Sequence, residues 1–460
     1  MTEMTVDTKI MDCFFHPRTV AVIGASREPG KIGYTIFHNL LNKFPGETFP
    51  VNPFADEILE KKCYKNISEI KTSVDLAVIA VPAKLVPGVI KECSQKKIKG
   101  AIIISAGFGE IGNKKLEEEI IKAKGKMRII GPNCLGILDT SSGLDTLFLS
   151  EEKMSRPRPG NIAFITQSGA VGSVVLDVLS SEGFEISKFV SYGNGIDLNE
   201  IDFLEYLEKD VFTKVICLYI EGTKDGKKLM ETAKKIVKTK PIVVLKAGRT
   251  AEGMYAASSH TGSLAGQDEV YDAAFKQSGM IRAYDIKDMF EFAGALSCQI
   301  PAKGKNVLII TNGGGFGVIA TDEAVREGLN IPQFDTRTKK ELAKYLPNYI
   351  KVHNPLDLGG DADSKRYASV LDIAGKAKNI DAILCILLFQ TVSLEPNVVE
   401  DVINFSNKKI KPIVVCSAGG EYTHKLMLRL DEAGVPVFDS PAMAVKAVWC
   451  LAKYGEIRKK

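Results

Sequence analysis

Short runs of apolar, mostly β-branched residues alternate with amphipathic stretches along the chain. A continuous apolar run indicates a strand that is buried on both faces, and helical segments between such runs indicate parallel sheets covered by helices. The pattern therefore predicts the α/β fold class. The clearest runs are residues 19–23, 76–81, 101–104, 162–165, 215–220 and 241–245.

Two charged, proline-bearing segments interrupt this pattern, at residues 151–160 and 300–305. Such segments are typical of linkers between domains. A chain of 460 residues, at roughly 150 residues per domain, has room for about three domains. We therefore predict domains at residues 1–150, 160–299 and 305–460.

The segments that follow the two linkers match each other. Residues 161–172 align with residues 306–317 at an offset of 145, and residues 240–244 align with residues 411–415 at an offset of 171. Internal matches of this kind indicate a repeated structural unit. The second and third domains are therefore predicted to be copies of one flavodoxin-like unit.

The first copy contains an insertion that the second copy lacks. Past the second match the offset falls from 171 to 155, where Ser278-Gly279 aligns with Ala433-Gly434, so the first copy carries 16 additional residues. They fall within residues 249–266, a segment rich in small residues and centred on His260. Because divergence between repeats marks places where sites are added, we predict a mobile functional loop here.

Composition narrows the class of protein. Sixty Lys and Arg against 56 Asp and Glu leave a net charge of +4, too balanced for a protein that binds nucleic acid. No apolar run approaches the roughly 20 residues that span a bilayer, and the first fifteen residues do not resemble a secretory signal. Nine scattered cysteines without a CxxC pair predict a cytoplasmic protein with neither a disulfide framework nor a zinc site.

Residues 20–33 predict a strand, a glycine-containing turn and a helix. Glycines let backbone amides approach an anion, and the helix N-terminus adds about half a positive charge, so the segment suits a dinucleotide-type phosphate site. A purely structural turn is the alternative. The spacing is not GxGxxG, and the second strand ends at Asn52-Pro53 instead of an acidic residue, which disfavours hydride transfer by a nicotinamide enzyme.

Small or conformationally special residues follow three further predicted strands, at residues 81–82, 105–107 and 131–134. Ligands of open α/β sheets bind along the edge formed by the carboxyl ends of the strands. Each segment alone could be an ordinary turn. Together they favour an extended, nucleotide-bearing ligand.

Two helix starts in the repeated domains occupy equivalent positions. Gln167, Ser168, Gly169 and Ala170 follow one strand, and the matching segment contains Gly313, Gly314 and Gly315. Free backbone amides at a helix start bind phosphate, and two such starts facing each other would form a strong clamp. The alternative is that the glycines only permit tight turns.

Two residues are candidates for catalysis. His260 lies among hydroxyls and glycine, with no neighbouring Cys, His or carboxylate to complete a metal site, and it is a plausible phosphoryl acceptor. Glu221 follows an apolar strand, and aligning Cys217 with Cys385 places Phe389 at the matching position. The fold therefore does not require this carboxylate, which could orient an imidazole, although a solvated strand-end acid is the alternative.

Together these residues resemble the α subunit of ADP-forming acetyl-CoA synthetases (acetate–CoA ligases), a family related to succinyl-CoA synthetase. The resemblance covers nearly the whole chain and is most specific at residues 131–134, 167–169, 259–266 and 354–362. It implies a Rossmann-like CoA-binding domain followed by two flavodoxin-like ligase domains. It also implies that His260 is phosphorylated, that Glu221 steadies the phosphohistidine, and that the helices starting near Ser168 and Gly314 face phosphate.

The same resemblance implies a ligand set and a partner. The predicted CoA-binding residues are Gly24, Ala25, Ser26, Gly30, Lys31, Gly33, Asn52, Pro53, Val81, Pro82, Ser105, Ala106, Gly107 and Asn133. The family converts acyl-CoA, ADP and phosphate to carboxylate, ATP and CoA. Because all 460 residues are already assigned and none resembles an ATP-grasp domain, Mg-ADP is expected mainly on a separate ATP-grasp β subunit in an α2β2 heterotetramer.

Two other classes remain open from the sequence. A non-catalytic CoA sensor or regulatory subunit could use the same scaffold, and it would bind CoA without turnover. A dehydrogenase, the weaker alternative, would bind NAD.

Overall fold

The computed structural model of the protein describes residues 8–261 and 267–459. Within these ranges the chain forms three main sheets, and it divides between Ile286 and Lys287 into two compact units. The first unit contains two of the sheets and the second unit contains the third. Strands and helices alternate along both units, as the hydrophobic pattern predicts.

The first sheet contains five parallel strands in the order β2-β1-β5-β6-β7, and a separate β3–β4 hairpin accompanies it. Apolar residues of β1, β5 and β6 pack against the buried faces of α3 and α4 in one core. The elements are α1 (Thr8–Phe15), β1 (Thr19–Ile23), α2 (Ile32–Lys43), β2 (Glu47–Val51), β3 (Glu57–Ile58), β4 (Lys61–Lys62), β5 (Leu76–Ile79), α3 (Val86–Gln95), β6 (Gly100–Ile103), α4 (Lys114–Ala123) and β7 (Arg128–Ile130).

The second sheet has the order β14-β13-β12-β10-β11-β8-β9, and only its β8–β9 edge is antiparallel. Its elements are β8 (Gly136–Asp139), β9 (Leu144–Asp145), β10 (Arg158–Thr166), α5 (Gly169–Ser181), β11 (Glu185–Ser191), α6 (Glu200–Lys209), β12 (Val215–Ile220), α7 (Gly226–Ile236), β13 (Ile242–Lys246), α8 (Ala251–Thr261), α9 (Asp268–Ser278), β14 (Ile281–Ala283) and α10 (Ile286–Cys298). All but the first residue of α10 belong to the second compact unit.

The third sheet is parallel throughout, in the order β16-β15-β17-β18-β19. Its elements are β15 (Val307–Thr311), α11 (Gly314–Arg326), α12 (Thr336–Leu342), β16 (Leu356–Asp357), α13 (Ser364–Lys376), β17 (Ala382–Ile386), α14 (Val398–Asn407), β18 (Ile413–Cys416), α15 (Glu421–Glu432), β19 (Val437–Phe438) and α16 (Pro441–Lys459).

The parallel strands of all three sheets follow one topology. Numbered in chain order within each sheet, they lie in the order 2-1-3-4-5, which is that of flavodoxin-like sheets. The predicted α/β class is confirmed, as is the prediction of two flavodoxin-like domains after the first. In such a sheet successive strands are added to one side of strand 1 and then, from strand 3 onward, to its other side. The gap between strands 1 and 3 is called the switch point, and ligands bind there at the carboxyl ends of the strands.

The repeat predicted from the 145-residue offset is reproduced in atomic detail. The Thr166 hydroxyl donates to the Ser168 carbonyl over 2.9 Å and accepts from the Ser168 amide over 3.1 Å. Thr311 makes the same pair of bonds with Gly313, over 3.0 and 2.9 Å. Each threonine therefore fixes the turn between its strand and the following helix in the same way.

The chain passes from the first sheet to the second through residues 131–135, between the end of β7 and the start of β8. Residues 136–145, which the sequence assigns to the first domain, form the antiparallel strands of the second sheet. The segment at residues 151–160, predicted as a linker, therefore lies within the second domain's sheet: residues 151–157 precede β10, and residues 158–160 already belong to it. The proposed limits of the three domains remain predictions.

Candidate active site

The turn after β1 brings three segments of the first domain close together. Gly24 has φ +93°, and a Cβ placed there would lie 2.4 Å from the Ala80 carbonyl oxygen at the end of β5. A Cβ on Gly33, in the first turn of α2, would lie 1.9 Å from the Gly24 carbonyl oxygen. Glycine at these positions therefore lets α2 begin directly against the turn and against the neighbouring strand end.

Replacement of Gly33 by alanine is expected to destabilise the protein by about 1–3 kcal/mol, because the added methyl group meets backbone rather than a movable side chain. It should also weaken CoA binding, because the β1–α2 turn would have to shift. Urea unfolding and calorimetric CoA titration measure the two effects.

Gly88→Ala is the matched control, since among the described residues an added methyl group on that helical glycine meets open space. Its stability should rise by about 0.5–1 kcal/mol. Equal losses in both variants would contradict a specific role for the close approach at Gly33.

Hydrogen bonds join the predicted CoA-binding loops. The Asn52 side-chain amide donates to the Ala25 carbonyl over 2.7 Å, and the Ser105 hydroxyl donates to the Val81 carbonyl over 2.5 Å. The Asn133 amide donates to the Ser105 carbonyl over 2.9 Å. The loops that follow the five parallel strands of the first sheet therefore lie along one edge, as the sequence predicts.

The first helix start is held against the end of β12. The Ser168 hydroxyl accepts from the Val171 amide over 3.3 Å and caps α5. The Gln167 side-chain oxygen accepts from the Glu221 amide over 2.8 Å and from the Gly222 amide over 3.2 Å. Gln167, predicted to bind phosphate, thus fixes the backbone of Glu221 through its carbonyl oxygen.

The structure corrects one step in the interpretation of Glu221. In the second copy the Asn312 side-chain oxygen accepts from the Leu388 amide over 2.9 Å, just as Gln167 accepts from Glu221. The strand registers agree, since Thr166 pairs with Tyr219 and Thr311 with Ile386. Leu388, and not Phe389, therefore occupies the matching position. The conclusion is unchanged, because the second copy again has an apolar residue there.

A cavity of about 700 Å³ within the first compact unit joins the predicted CoA-binding loops to the predicted phosphate-binding start of α5. Its lining includes predicted CoA-binding residues, the start of α5 and one catalytic candidate: Val81, Pro82, Ser105, Ala106, Asn133, Gln167, Ser168, Gly169, Ala170 and Glu221. The lining does not include Gly24, Ala25, Ser26, Gly30, Lys31, Gly33, Asn52, Pro53 or Gly107. The cavity thus extends from the carboxyl edge of the first sheet to the switch point of the second.

Glu221 lines this cavity and is only 7% exposed. Burial raises the pKa of the Tyr192 phenol, and the charges of Glu200 and Glu221 add to that rise. Burial, aided by the charge of Glu221, also raises the pKa of Tyr219 to about 12. The carboxylate therefore acts on its neighbours through a poorly solvated environment, where charge interactions are strong.

The sequence prediction missed the loop after β11, which lines the same cavity. A Cβ on Gly193 would lie 2.3 Å from the Asn133 carbonyl oxygen. The Asn194 side-chain amide donates to Glu110 over 2.7 Å and to Glu117 over 2.8 Å. The available signal was Tyr192-Gly-Asn-Gly195, small residues at the carboxyl end of a strand, which is the same criterion that identified the other loops.

Part of the segment that contains the insertion, for which the sequence predicts a mobile loop, forms a helix. Residues 251–261 form α8, which lies between β13 and α9 along the chain. In the second copy the equivalent elements are β18 and α15, and only residues 417–420 separate them. Alanine, glutamate and methionine in this segment favour a helix. The backbone of α8 lies next to the short helical turn at Gly109–Ile111.

His260 belongs to α8, but its side chain and residues 262–266 lie outside the described part of the structure. The structure therefore provides the position of the helix that carries His260 and no contact of its imidazole.

The second helix start has a carboxylate beside it. A Cβ on Gly314 would lie 2.7 Å from the Asp357 carboxylate, which places that carboxylate next to the first turn of α11. Negative charge is favourable at a helix N-terminus. The Asp357 carboxylate therefore lies where an anion bound by the amides of Gly313, Gly314 and Gly315 would also lie. The start of α5 has its serine cap instead.

Among the described residues there is no group of three or more His, Cys, Asp or Glu side chains that could hold a metal ion. In the same residues, each helix is too short or too polar to cross a membrane.

Comparison with known proteins identifies three family domains along the chain. A CoA binding domain matches residues 18–140, a succinyl-CoA ligase-like flavodoxin domain matches residues 159–296, and a ligase-CoA domain matches residues 307–458. The cavity is therefore lined by residues from the first two of these matches.

Similar proteins cover the chain nearly from end to end. The acetate–CoA ligase [ADP-forming] I subunit alpha of Pyrococcus furiosus is 43% identical, over 98% of this chain and 99% of that one. The acetate–CoA ligase [ADP-forming] I of Archaeoglobus fulgidus is 42% identical, and the match spans 98% of this chain but 64% of that longer protein.

The solved structure of dinucleotide-forming acetyl-coenzyme A synthetase 1 from Candidatus Korarchaeum cryptofilum, in complex with phosphate and ADP, has a TM-score of 0.91. Its identity is 36%, over 98% of this chain and 97% of that one. The chain therefore belongs to the family of ADP-forming acetate–CoA ligases, in which it matches the α subunit.

Proposed function

We propose that the protein is the α subunit of an ADP-forming acyl-CoA synthetase that converts acetyl-CoA or another acyl-CoA, ADP and phosphate to carboxylate, ATP and CoA. The observation that carries the proposal is the cavity that joins the loops of the CoA-binding domain to the start of α5 and to Glu221. A thioester held by the loops would meet a phosphate held by the helix. The names of the relatives favour a ligase over a non-catalytic sensor.

In the first step, a phosphate oxygen attacks the thioester carbon, the carbon–sulfur bond breaks and CoA leaves as a thiol after taking up a proton. The products are an acyl phosphate and CoA. Backbone amides at Gly169 and Ala170 are suited to hold the phosphate, because they begin α5 and because neither residue has a side chain larger than a methyl group. The Thr166 hydroxyl and the Ser168 cap fix the turn that precedes these amides. The amides therefore need no reorganisation as negative charge develops on the phosphate.

In the second step, a nitrogen of His260 attacks the phosphorus of the acyl phosphate, and the carboxylate leaves. Glu221 accepts a hydrogen bond from the other ring nitrogen, which orients the imidazole and stabilises its positive charge. The phosphoryl group then passes from His260 to ADP. Because α8 is an insertion absent from the second copy, it is the element suited to carry His260 between the two reactions.

The partner and the nucleotide follow from the same scheme. We place Mg-ADP mainly on a separate ATP-grasp β subunit, in an α2β2 heterotetramer. The α subunit name of one relative and the greater length of another are consistent with two pieces that are separate in some proteins and joined in others. A cytoplasmic location suits a reaction that uses ADP and the free thiol of CoA.

The proposal is tested by measuring ATP formation from acetyl-CoA, ADP and phosphate with this chain alone, with its β partner alone and with the reconstituted complex. We expect turnover only in the complex. CoA binding without turnover in the complex, over a panel of acyl-CoAs, would favour the regulatory alternative and overturn the proposal.

A further inference from the structure

The cavity lining includes five apolar residues to which the proposed chemistry gives no role. They are Ile32 at the start of α2, Ile104, Leu135, Phe148 and Leu149. Leu135 lies beside the start of α5, since a Cβ on Gly169 would be 3.6 Å from its Cβ atom. Leu135 therefore adjoins the amides proposed to hold phosphate, near which the acyl carbon must also lie, and Phe148 lines the same cavity.

The backbone on both sides of Phe148 is fixed from the interior. The side-chain amide of Asn39, a buried residue of α2, donates to the Leu147 carbonyl over 2.8 Å and to the Leu149 carbonyl over 3.1 Å. Two bonds from one amide to carbonyls two residues apart leave little freedom for the residue between them. Phe148 is thus held at the cavity by α2, the helix that also contributes Ile32.

A buried ion pair fixes the far end of the same segment. The Arg156 guanidinium donates to Asp145 over 2.7 Å and to the Leu149 carbonyl over 2.7 Å. The Arg156 and Asp145 side chains are 4% and 1% exposed. Breaking such a pair leaves a buried charge uncompensated, so the pair resists movement of the segment. The segment that carries Phe148 and Leu149 is therefore fixed in the fold by buried polar side chains.

We propose that Phe148 is a specificity-determining residue that limits the length of the acyl chain. This inference rests on the proposed function. Because the backbone is fixed, the ring can make room only by changing its side-chain rotamer, so acids long enough to reach Phe148 would be disfavoured by overlap. A shortened side chain at position 148 would open apolar space, and each further methylene buried there would favour the transition state by about fourfold.

The test uses the reconstituted αβ complex and the straight-chain acids acetate, butanoate and hexanoate, with ADP formation from ATP and CoA as the readout. Phe148→Ala should leave kcat/KM for acetate within about threefold of the wild type. It should raise the hexanoate-to-acetate ratio by at least about tenfold, as two or more methylenes gain apolar contact. Phe148→Trp should shift the ratio in the opposite direction.

Controls separate this effect from misfolding and from a contact with CoA. Phe148→Leu, a milder change, should give an intermediate ratio, and Tyr422→Ala, at an exposed residue of α15, should leave the ratio unchanged. If Phe148→Ala changes kcat/KM by the same factor for all three acids, or alters only the KM for CoA, the inference is wrong. A wild-type complex that activates none of a broad panel of acids would instead count against the proposed function itself.

Discussion

Replacement of His260 by alanine is expected to lower ATP formation by the reconstituted complex by at least about 10⁴-fold, because the variant has no phosphoryl acceptor. Incubation of the complex with ATP labelled in its γ-phosphate should label this chain in the wild type and leave it unlabelled in the variant. The first step does not need the imidazole, so exchange of labelled phosphate into acyl phosphate should persist in the variant when acyl-CoA is supplied.

His424→Ala is the matched control, because that histidine is an exposed residue of α15. It should retain both turnover and the phosphoryl label. Labelling of this chain that survives in His260→Ala would exclude His260 as the acceptor, whatever happens to turnover.

Replacement of Glu221 by glutamine is expected to lower turnover by about 10²–10⁴-fold, because the charge that orients the nucleophilic imidazole and stabilises its positive form is lost. The two side chains have nearly the same shape, so the bonds from the Glu221 and Gly222 amides to Gln167 can persist. The loss would therefore reflect the missing negative charge.

The pH profile distinguishes orientation of His260 from a purely structural role. A neighbouring carboxylate favours the charged imidazolium and raises the pKa of histidine, whereas attack on phosphorus needs the neutral ring. Without the carboxylate the histidine pKa falls, so the acidic limb of the rate profile should move to lower pH. Glu231→Gln, on the exposed side of α7, should change neither rate nor profile. An unshifted acidic limb in Glu221→Gln would argue against an interaction with the imidazole.

Much of the fold could be predicted because local pattern and global structure agree. Buried strands such as Val215–Ile220 are apolar at every position, and the repeat at Thr166 and Thr311 preserves a hydrogen-bond pattern as well as a sequence. The loops at the carboxyl ends of strands could be located for the same reason, since a parallel sheet gathers them on one edge.

The errors concern features that depend on tertiary contacts. The shift from Phe389 to Leu388 follows from the bond between Asn312 and the strand end, which no alignment of strand residues reveals. The role of Asn194 depends on carboxylates of Glu110 and Glu117 that are distant in sequence. Phe148 could not be identified, because the segment that carries it is fixed by bonds from Asn39 and Arg156, which the sequence does not pair with it.

The route of the chain between the first two sheets limits how the protein can be dissected. A fragment ending near residue 150 would carry β8 and β9 without β11, the strand with which β8 pairs. A fragment ending at Ile130 would lose Asn133 and Leu135, which line the cavity. Residues 131–135, which connect the two folds, are therefore part of the ligand site. The CoA-binding fold cannot be expressed as a separate domain with that cavity intact.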